Sequence, residues 1–176
     1  MPYKSYLQNK WAKELNRKVV VAKSDKTKSE KGGKMDPADA PYQITNLDGK
    51  NITLDEFKGK VVYIDFWASW CGPCRQQFPH AKAMKAKLDK KQLKEIVFLY
   101  ISIDNNQEAW KKAIDKYGIE GYHVWSRGGW GSTATKHFGV TSIPRYMIMD
   151  KKGNLVDRNA KRPSMPETLT DILNLL

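Results

Sequence analysis

The sequence predicts an α/β protein whose central mixed sheet is covered by helices on both faces. Two apolar runs of strand length, residues 60–68 and 95–103, are near-continuous rather than alternating, as in strands that are buried on both sides. Segments of helical length follow each run, at about 71–87 and 107–117. This alternation is typical of a sheet that lies between two helical layers.

The N-terminal 35 residues have a different composition from the rest. Residues 1–35 carry ten lysines and arginines against three acidic residues, which leaves only +5 of the net charge of +12 to the remaining chain. Apolar residues recur every four positions from Leu7 to Leu15 and predict a short amphipathic helix over 4–18. The polar stretch 23–41 contains Gly-Gly and two prolines and is predicted to be a linker. A basic tail of this kind is typically solvated, and we predict no nucleic-acid binding.

The globular domain is predicted over residues 36–176. Its first element is a β-hairpin at 42–54, because Asp48-Gly49 is a dipeptide favoured in tight turns. The later elements come in chain order: a strand at 60–68, a helix at 71–87, a strand at 95–103, a helix at 107–117, a short strand at 122–126, a glycine-rich loop at 127–132, a helix that opens at Ser132 or Thr133, a strand within 143–150, its hairpin partner at 153–159, and a closing helix at 166–176.

Targeting signals are not evident in the sequence. No apolar run approaches the roughly 20 residues that a membrane-spanning helix requires, so we predict no transmembrane segment. The first 15 residues also lack the apolar stretch of a secretory signal. The protein is therefore expected either in the cytoplasm or, with an upstream segment removed, elsewhere.

The two cysteines of the chain, Cys71 and Cys74, admit three interpretations: a metal site, a structural bridge or a redox pair. Zinc prefers four ligands, and the chain offers neither a second cysteine pair nor histidines at ligand-like spacing. A bridge across so short a loop constrains the unfolded chain little. The redox interpretation is therefore favoured, with no metal and no cofactor beyond the disulfide itself.

The position of the cysteines between a strand and a helix suits redox chemistry. At the start of a helix, the Cys71 sulfur can face free backbone N–H groups, where the helix dipole favours a thiolate. Gly72 permits a tight turn and the close approach of a partner backbone, and Pro73 suits an early helical position. Cys74, one turn further on, is predicted to be the resolving thiol.

Three residues before the cysteines also bear on the chemistry. Trp67 lies on the strand and is predicted to belong to the core, whereas Trp70 is expected to stay partly exposed as a flat contact for a partner. Asp65 lies within an apolar strand, where burial of a carboxylate is unfavourable. A buried acid with a raised pKa would suit proton transfer from Cys74. The alternative is that Asp65 lies on a wet face of the strand.

The stretch VYIDFWASWCGPCR closely resembles the active-site strand and turn of thioredoxin-fold proteins. Pro79 matches the proline that kinks the active-site helix in that family, and Gly153 matches the turn of the last hairpin. The segment FGVTSIPRYMIM matches the family's cis-proline segment, so the resemblance implies a cis bond between Ile143 and Pro144. The hairpin at 42–54 and the extra material at 107–125 look like the TlpA and ResA branch of bacterial thiol-disulfide oxidoreductases.

This resemblance covers about residues 36–176 and implies a function. Cys71 and Cys74 would carry out dithiol-disulfide exchange on a protein substrate, with Trp70, Gly72, Pro73, Ile143 and Pro144 in the substrate groove. The Gly-Pro pair between the cysteines resembles reducing members, which implies net reduction and another thiol protein as the reductant. Members of the branch often act in the periplasm or cell envelope, where residues 1–35 would be the end of a preceding domain.

Two departures from the family pattern affect the site. In thioredoxin a lysine on the second core strand partners the buried aspartate, and Tyr100 stands at that position here. The residue after the proline is Arg145 rather than threonine. With Arg75 it would favour acidic partners, and the alternative is that Arg145 is simply solvated. The loop RGGWGS lacks the features of a phosphate-binding loop and places Trp130 as a candidate substrate contact.

Two other functions use the same fold. A copper chaperone would need both thiols and a histidine, for which His137 is the candidate. A non-catalytic interaction module would keep the disulfide without using it.

Overall fold

The computed structural model describes residues 36–176, and the predicted helix at 4–18 lies outside this range. The described residues form a mixed seven-stranded sheet with five α-helices. The strands are β1 (Ile44–Asn46), β2 (Asn51–Ile52), β3 (Val61–Trp67), β4 (Ile96–Ser102), β5 (Tyr122–Trp125), β6 (Arg145–Met149) and β7 (Leu155–Asp157). The helices are α1 (Gly72–Lys85), α2 (Lys90–Glu95), α3 (Gln107–Tyr117), α4 (Thr133–Phe138) and α5 (Glu167–Leu173).

The strand order is β2-β1-β5-β4-β3-β6-β7, with β3 near the middle. β3 runs parallel to β4 and antiparallel to β6, and all seven of its residues are buried. Successive strand residues point to opposite faces of a sheet, so both faces at β3 must be covered. On one face Trp67 packs edge-on against Phe78 of α1, and on the other Phe66 packs against Phe138 of α4. The prediction of helices on both faces is confirmed.

The N-terminal hairpin forms as predicted and also extends the sheet. β1 pairs antiparallel with β2 across the Asp48-Gly49 turn, in which Gly49 adopts a φ of 79°. β1 also pairs antiparallel with β5, so the hairpin continues the central sheet.

Helix ends are marked by side-chain caps. Asn106 caps α3, and Gly118 closes it in the left-handed conformation that glycine adopts readily. Asp89 caps α2, a helix that the sequence pattern did not predict, through a reciprocal capping box with Gln92. Within residues 36–176, no helix is both long and apolar enough to span a membrane.

Candidate active site

Cys71 and Cys74 form a disulfide at the start of α1, with the two sulfurs 2.07 Å apart. Cys71 is the N-cap residue of the helix, and its Sγ accepts a hydrogen bond of 3.2 Å from the backbone N–H of Cys74. Helix N-termini leave backbone N–H groups without partners inside the helix, and a capping sulfur satisfies one of them. The same N–H group and the helix dipole stabilise negative charge on Cys71 when the bond is opened.

The two sulfurs differ in their surroundings. Cys71 retains 5% of its surface and Cys74 retains none, so an approaching molecule meets Cys71 first. Pro73 occupies an early helical position, as predicted from its missing N–H, and it is exposed. Gly72 has an ordinary helical backbone, and an added Cβ would meet only the Arg75 guanidinium, at 3.8 Å. The backbone conformation at position 72 therefore does not require glycine. The role of Gly72 in the approach of a partner stays a prediction.

Trp67 is the last residue of β3, and Trp70 follows in the turn that leads to Cys71. Trp67 is fully buried, as predicted for a core residue, whereas Trp70 is 55% exposed. The exposed ring of Trp70 lies 6.3 Å from the ring of Trp130, centroid to centroid.

Ile143 and Pro144 immediately precede β6, and the peptide bond between them is cis. Arg145, the next residue, pairs with Phe66 near the C-terminal end of β3. The Ile-Pro segment therefore lies at the same end of the strand from which the chain leads to Cys71. Both residues are partly buried. The sheet register thus brings together two segments that are about 70 positions apart in sequence.

Asp65 is buried, with 3% of its surface exposed, and the wet-face alternative is wrong. Because Asp65 and Trp67 are two residues apart on β3, both point to the face that α1 covers. Cys74 and Phe78 are four residues apart and share one side of that helix. Asp65 therefore lies beneath the helix that carries Cys74.

Burial raises the pKa of Asp65 to about 8, against the smaller opposing effect of the positive charge of Lys85. The Oδ1 atom has no hydrogen-bond partner among the described residues, which fits a carboxyl that is not fully ionised. Near neutral pH the carboxyl therefore keeps its proton in most molecules, and its ionised fraction grows as the pH approaches 8.

A row of polar side chains crosses four adjacent strands at Asp65. The register aligns His123 of β5 with Tyr100 of β4, Tyr100 with Asp65 of β3, and Asp65 with Tyr146 of β6. The His123 and Tyr100 rings stack with centroids 5.2 Å apart. Burial lowers the pKa of His123 to about 4 and raises the pKa of both tyrosines, so these three neighbours of Asp65 are neutral at pH 7.

Lys85, in the last turn of α1, supplies the positive charge near this row. Its Nζ donates a hydrogen bond of 3.1 Å to the Tyr100 hydroxyl and another to the backbone carbonyl of Glu120. Burial lowers the pKa of Lys85 to about 8, while Glu120 and Asp65 act in the opposite direction. Lys85 and Tyr100 line a cavity of about 250 Å³ along α1.

A family model described as Redoxin matches residues 9–176, which is most of the chain. The chain belongs to the Redoxin family. The thiol-disulfide oxidoreductase ResA of Bacillus subtilis is 35% identical over 141 residues, which are 79% of this chain and 74% of that protein. ResA of Bacillus thuringiensis is 31% identical over 115 residues, and the match spans 63% of its length.

Solved structures show the same relationship. The crystal structure of a putative thiol-disulfide oxidoreductase from Bacteroides vulgatus has a TM-score of 0.66 and 36% identity, and the match covers 77% of this chain and 92% of that one. A solution structure of a putative thiol-disulfide oxidoreductase from the same organism has a TM-score of 0.65 and 31% identity, over 82% and 91% of the two chains. The predictions of a thioredoxin fold and of a TlpA/ResA-like member are confirmed.

This Redoxin-family chain contains site residues that sequence reasoning missed. The sequence places Tyr100 where thioredoxin has the lysine that partners the aspartate, but Lys85 reaches the same row from α1 rather than from β4. Ser69 was not singled out either. Its backbone N–H and its hydroxyl donate hydrogen bonds of 2.9 and 2.6 Å to the buried carboxylate of Asp104. These bonds fix the turn that leads into Cys71.

The histidine proposed for copper has other contacts. The His137 ring packs against Tyr42 and Phe138, with centroids 4.9 and 4.7 Å away. Within the described part of the chain, no three histidine, cysteine or acidic side chains are grouped as metal ligands would be.

Proposed function

We propose that this protein is a thiol-disulfide oxidoreductase that reduces disulfide bonds in protein substrates. The observation that carries this proposal is the Cys71–Cys74 disulfide at a helix N-terminus, where the more accessible sulfur is also the one that accepts a backbone hydrogen bond. The ResA name of its relatives supports the same activity.

The cycle starts from the reduced dithiol form. The Cys71 thiolate attacks one sulfur of a substrate disulfide, the substrate S–S bond breaks, and the leaving thiolate takes a proton from water. The product is a mixed disulfide between Cys71 and the substrate. Trp70, Gly72, Pro73, Ile143 and Pro144 surround Cys71 in sequence or across the sheet register, and we propose that they form the substrate groove.

Cys74 resolves the mixed disulfide. It loses its proton to the Asp65 carboxylate, and the new thiolate attacks the Cys71 sulfur. The Cys71–Cys74 bond forms, and the second substrate thiolate leaves and is protonated. Overall the substrate gains two electrons and two protons, and the protein becomes oxidised.

Lys85 assists Asp65 as a positioning residue. Its charge favours the ionised form of Asp65, which is the form able to accept a proton. Tyr100 fixes the Lys85 amine through a hydrogen bond and stays neutral itself. Lys85, on helix α1, thus takes the role that a lysine on the second core strand has in thioredoxin.

Regeneration requires a thiol protein that donates two electrons to the Cys71–Cys74 disulfide. The chemistry requires no metal and no cofactor beyond this disulfide. We propose the periplasm or cell envelope as the location, with substrates there, because members of the TlpA and ResA branch that the chain resembles often act there. The cytoplasm is the alternative, and the labelling of Cys71 in cells by a membrane-impermeant thiol reagent would distinguish the two. Net reduction further predicts a potential nearer to about −270 mV than to about −120 mV.

Cysteine variants test this cycle. Insulin reduction driven by dithiothreitol should be lost in Cys71→Ser, which lacks the attacking thiol. Cys74→Ser should accumulate a mixed disulfide with insulin, visible on a non-reducing gel and cleaved by added thiol. Full activity of Cys71→Ser, or an equal yield of mixed disulfide from both variants, would show that the assignment is wrong.

A further inference from the structure

Trp70 and Trp130 form an aromatic patch beside the disulfide. Five large apolar side chains among residues 36–176 are at least 40% exposed. Trp70 and Trp130, at 55% and 47%, have the bulkiest side chains of the five and contact each other. Tryptophan is enriched at the energetically dominant positions of interfaces, because it buries a large area at little conformational cost. Their adjacency next to Cys71 points to contact with a partner.

The loop that carries Trp130 is fixed through its backbone. Gly128 and Gly129 adopt φ values of 108° and 57°, which few other residues tolerate. A Cβ on Gly129 would lie 2.9 Å from the Asn105 Oδ1 atom, so the chain approaches Asn105 too closely for a side chain. The Thr135 hydroxyl donates a hydrogen bond of 3.0 Å to the Trp130 carbonyl. The exposed ring is therefore presented from an ordered loop, which reduces the entropy lost on binding.

The chain segments that form the site carry net positive charge. The segments 69–76, 126–137 and 143–145 contain four arginines and lysines and no acidic residue. The nearby carboxylate of Asp104 is buried and accepts hydrogen bonds from Ser69 and Ser102. The segments that carry the disulfide, Trp130 and the cis-proline thus combine two exposed tryptophans with net positive charge, which favours an acidic partner.

We propose that the aromatic patch binds a large apolar side chain next to the reactive cysteine of the substrate, in an extended segment that also carries acidic residues. This proposal rests on the proposed function and adds the class of substrate segment that the site selects. Trp130 is a specificity residue that takes no part in the exchange of electrons.

Peptides that each contain one disulfide provide the test. One pair differs only in phenylalanine or serine beside the cysteine, and a second pair differs only in aspartate or lysine at flanking positions. Single-turnover rates of the pre-reduced protein are measured against peptide concentration for the parent and Trp130→Ala. The small uncharged reagent 2-hydroxyethyl disulfide reports the basal chemistry, and Val156→Ala, an exposed site on the β7 edge, is the matched control.

The parent should prefer phenylalanine over serine by about fivefold, through a lower half-saturating concentration. It should also prefer aspartate over lysine, and this preference should shrink at high salt. Trp130→Ala should lose most of the phenylalanine preference, and its rate with 2-hydroxyethyl disulfide should fall by less than its rate with the phenylalanine peptide. Trp130→Phe should retain the preference.

Two results would overturn the proposal. One is an equal slowing of all substrates in Trp130→Ala, which would indicate a structural role for the ring. The other is a parent that reduces every peptide equally well. If Trp130→Ala does not fold, Trp130→Phe against Trp130→Gln gives the same comparison. A parent that reduces neither peptides nor 2-hydroxyethyl disulfide would instead refute the proposed function.

Discussion

Replacing Asp65 with asparagine should stabilise the oxidised protein, and the gain should grow with pH. The unfolded chain ionises Asp65 near the ordinary pKa of 3.8, whereas burial holds the pKa of the folded carboxyl at about 8. Between these values the unfolded chain has released a proton that the folded protein keeps, so the free energy of unfolding falls as pH rises. Asparagine has no proton to lose, and this penalty disappears in the variant.

The magnitude follows from the size of the pKa difference. A group that is protonated in the folded state and ionised in the unfolded state changes stability by about 1.4 kcal/mol per pH unit. Between pH 5 and 7.5 the difference between Asp65→Asn and the parent should therefore increase by about 3 kcal/mol. His123, whose lowered pKa favours folding as pH rises toward 6.5, is present in both proteins and cancels in the difference.

Urea unfolding of the oxidised protein, monitored by far-ultraviolet circular dichroism at half-unit pH intervals, would measure this effect. Glu108→Gln removes an exposed carboxylate from α3 and is the matched control, which should follow the pH dependence of the parent. If the Asp65→Asn and parent curves run parallel from pH 5 to 7.5, Asp65 titrates normally and cannot serve as the proton acceptor inferred here.

Two further predictions concern the same face of the sheet. Lys85→Met removes the charge that lowers the pKa of Asp65, so the pH at which the rate of mixed-disulfide resolution is half-maximal should rise. At pH 7 the rate should fall by less than the roughly 100-fold expected when a general base is lost. An unchanged pH profile in stopped-flow measurements would exclude this role for Lys85. Gly121→Ala would place a Cβ 2.6 Å from the Phe98 carbonyl oxygen, so the free energy of unfolding should fall by about 2 to 3 kcal/mol, or roughly 5 to 10 °C of Tm by calorimetry. Gly131→Ala, with open space around it, is the control and should change stability by less than about 0.5 kcal/mol. Equal melting temperatures for both variants would contradict the clash.

The part of the site that is local in sequence was predictable. β3, the Cys71 turn and α1 follow one another within 25 residues, and each has its own signal: a buried apolar run, a capping position and a proline at the helix start. α3 was predicted with the bounds that the structure shows, and in the structure Asn106 and Gly118 cap it and three of its residues are buried.

Other features were not predictable because no local pattern encodes them. α2 buries no residue, so it has no apolar stripe, and its capping box at Asp89 was its one sequence signal. The polar row at Asp65 depends on the register of four strands, and a shift of one residue would turn Tyr100 to the other face. The contact of Lys85 with that row depends on how α1 crosses the sheet, which periodicity does not determine.

The N-terminal hairpin has a consequence for behaviour in crowded solution. Without β1 and β2, the sheet would end at β5, a four-residue strand with one side available for pairing with another chain. With the hairpin in place, the outer strands are β2, of two residues, and β7, of three residues with an irregular register. Such short and uneven borders offer few consecutive amides to a second molecule, so the folded domain resists edge-to-edge aggregation while its disulfide stays accessible to a partner.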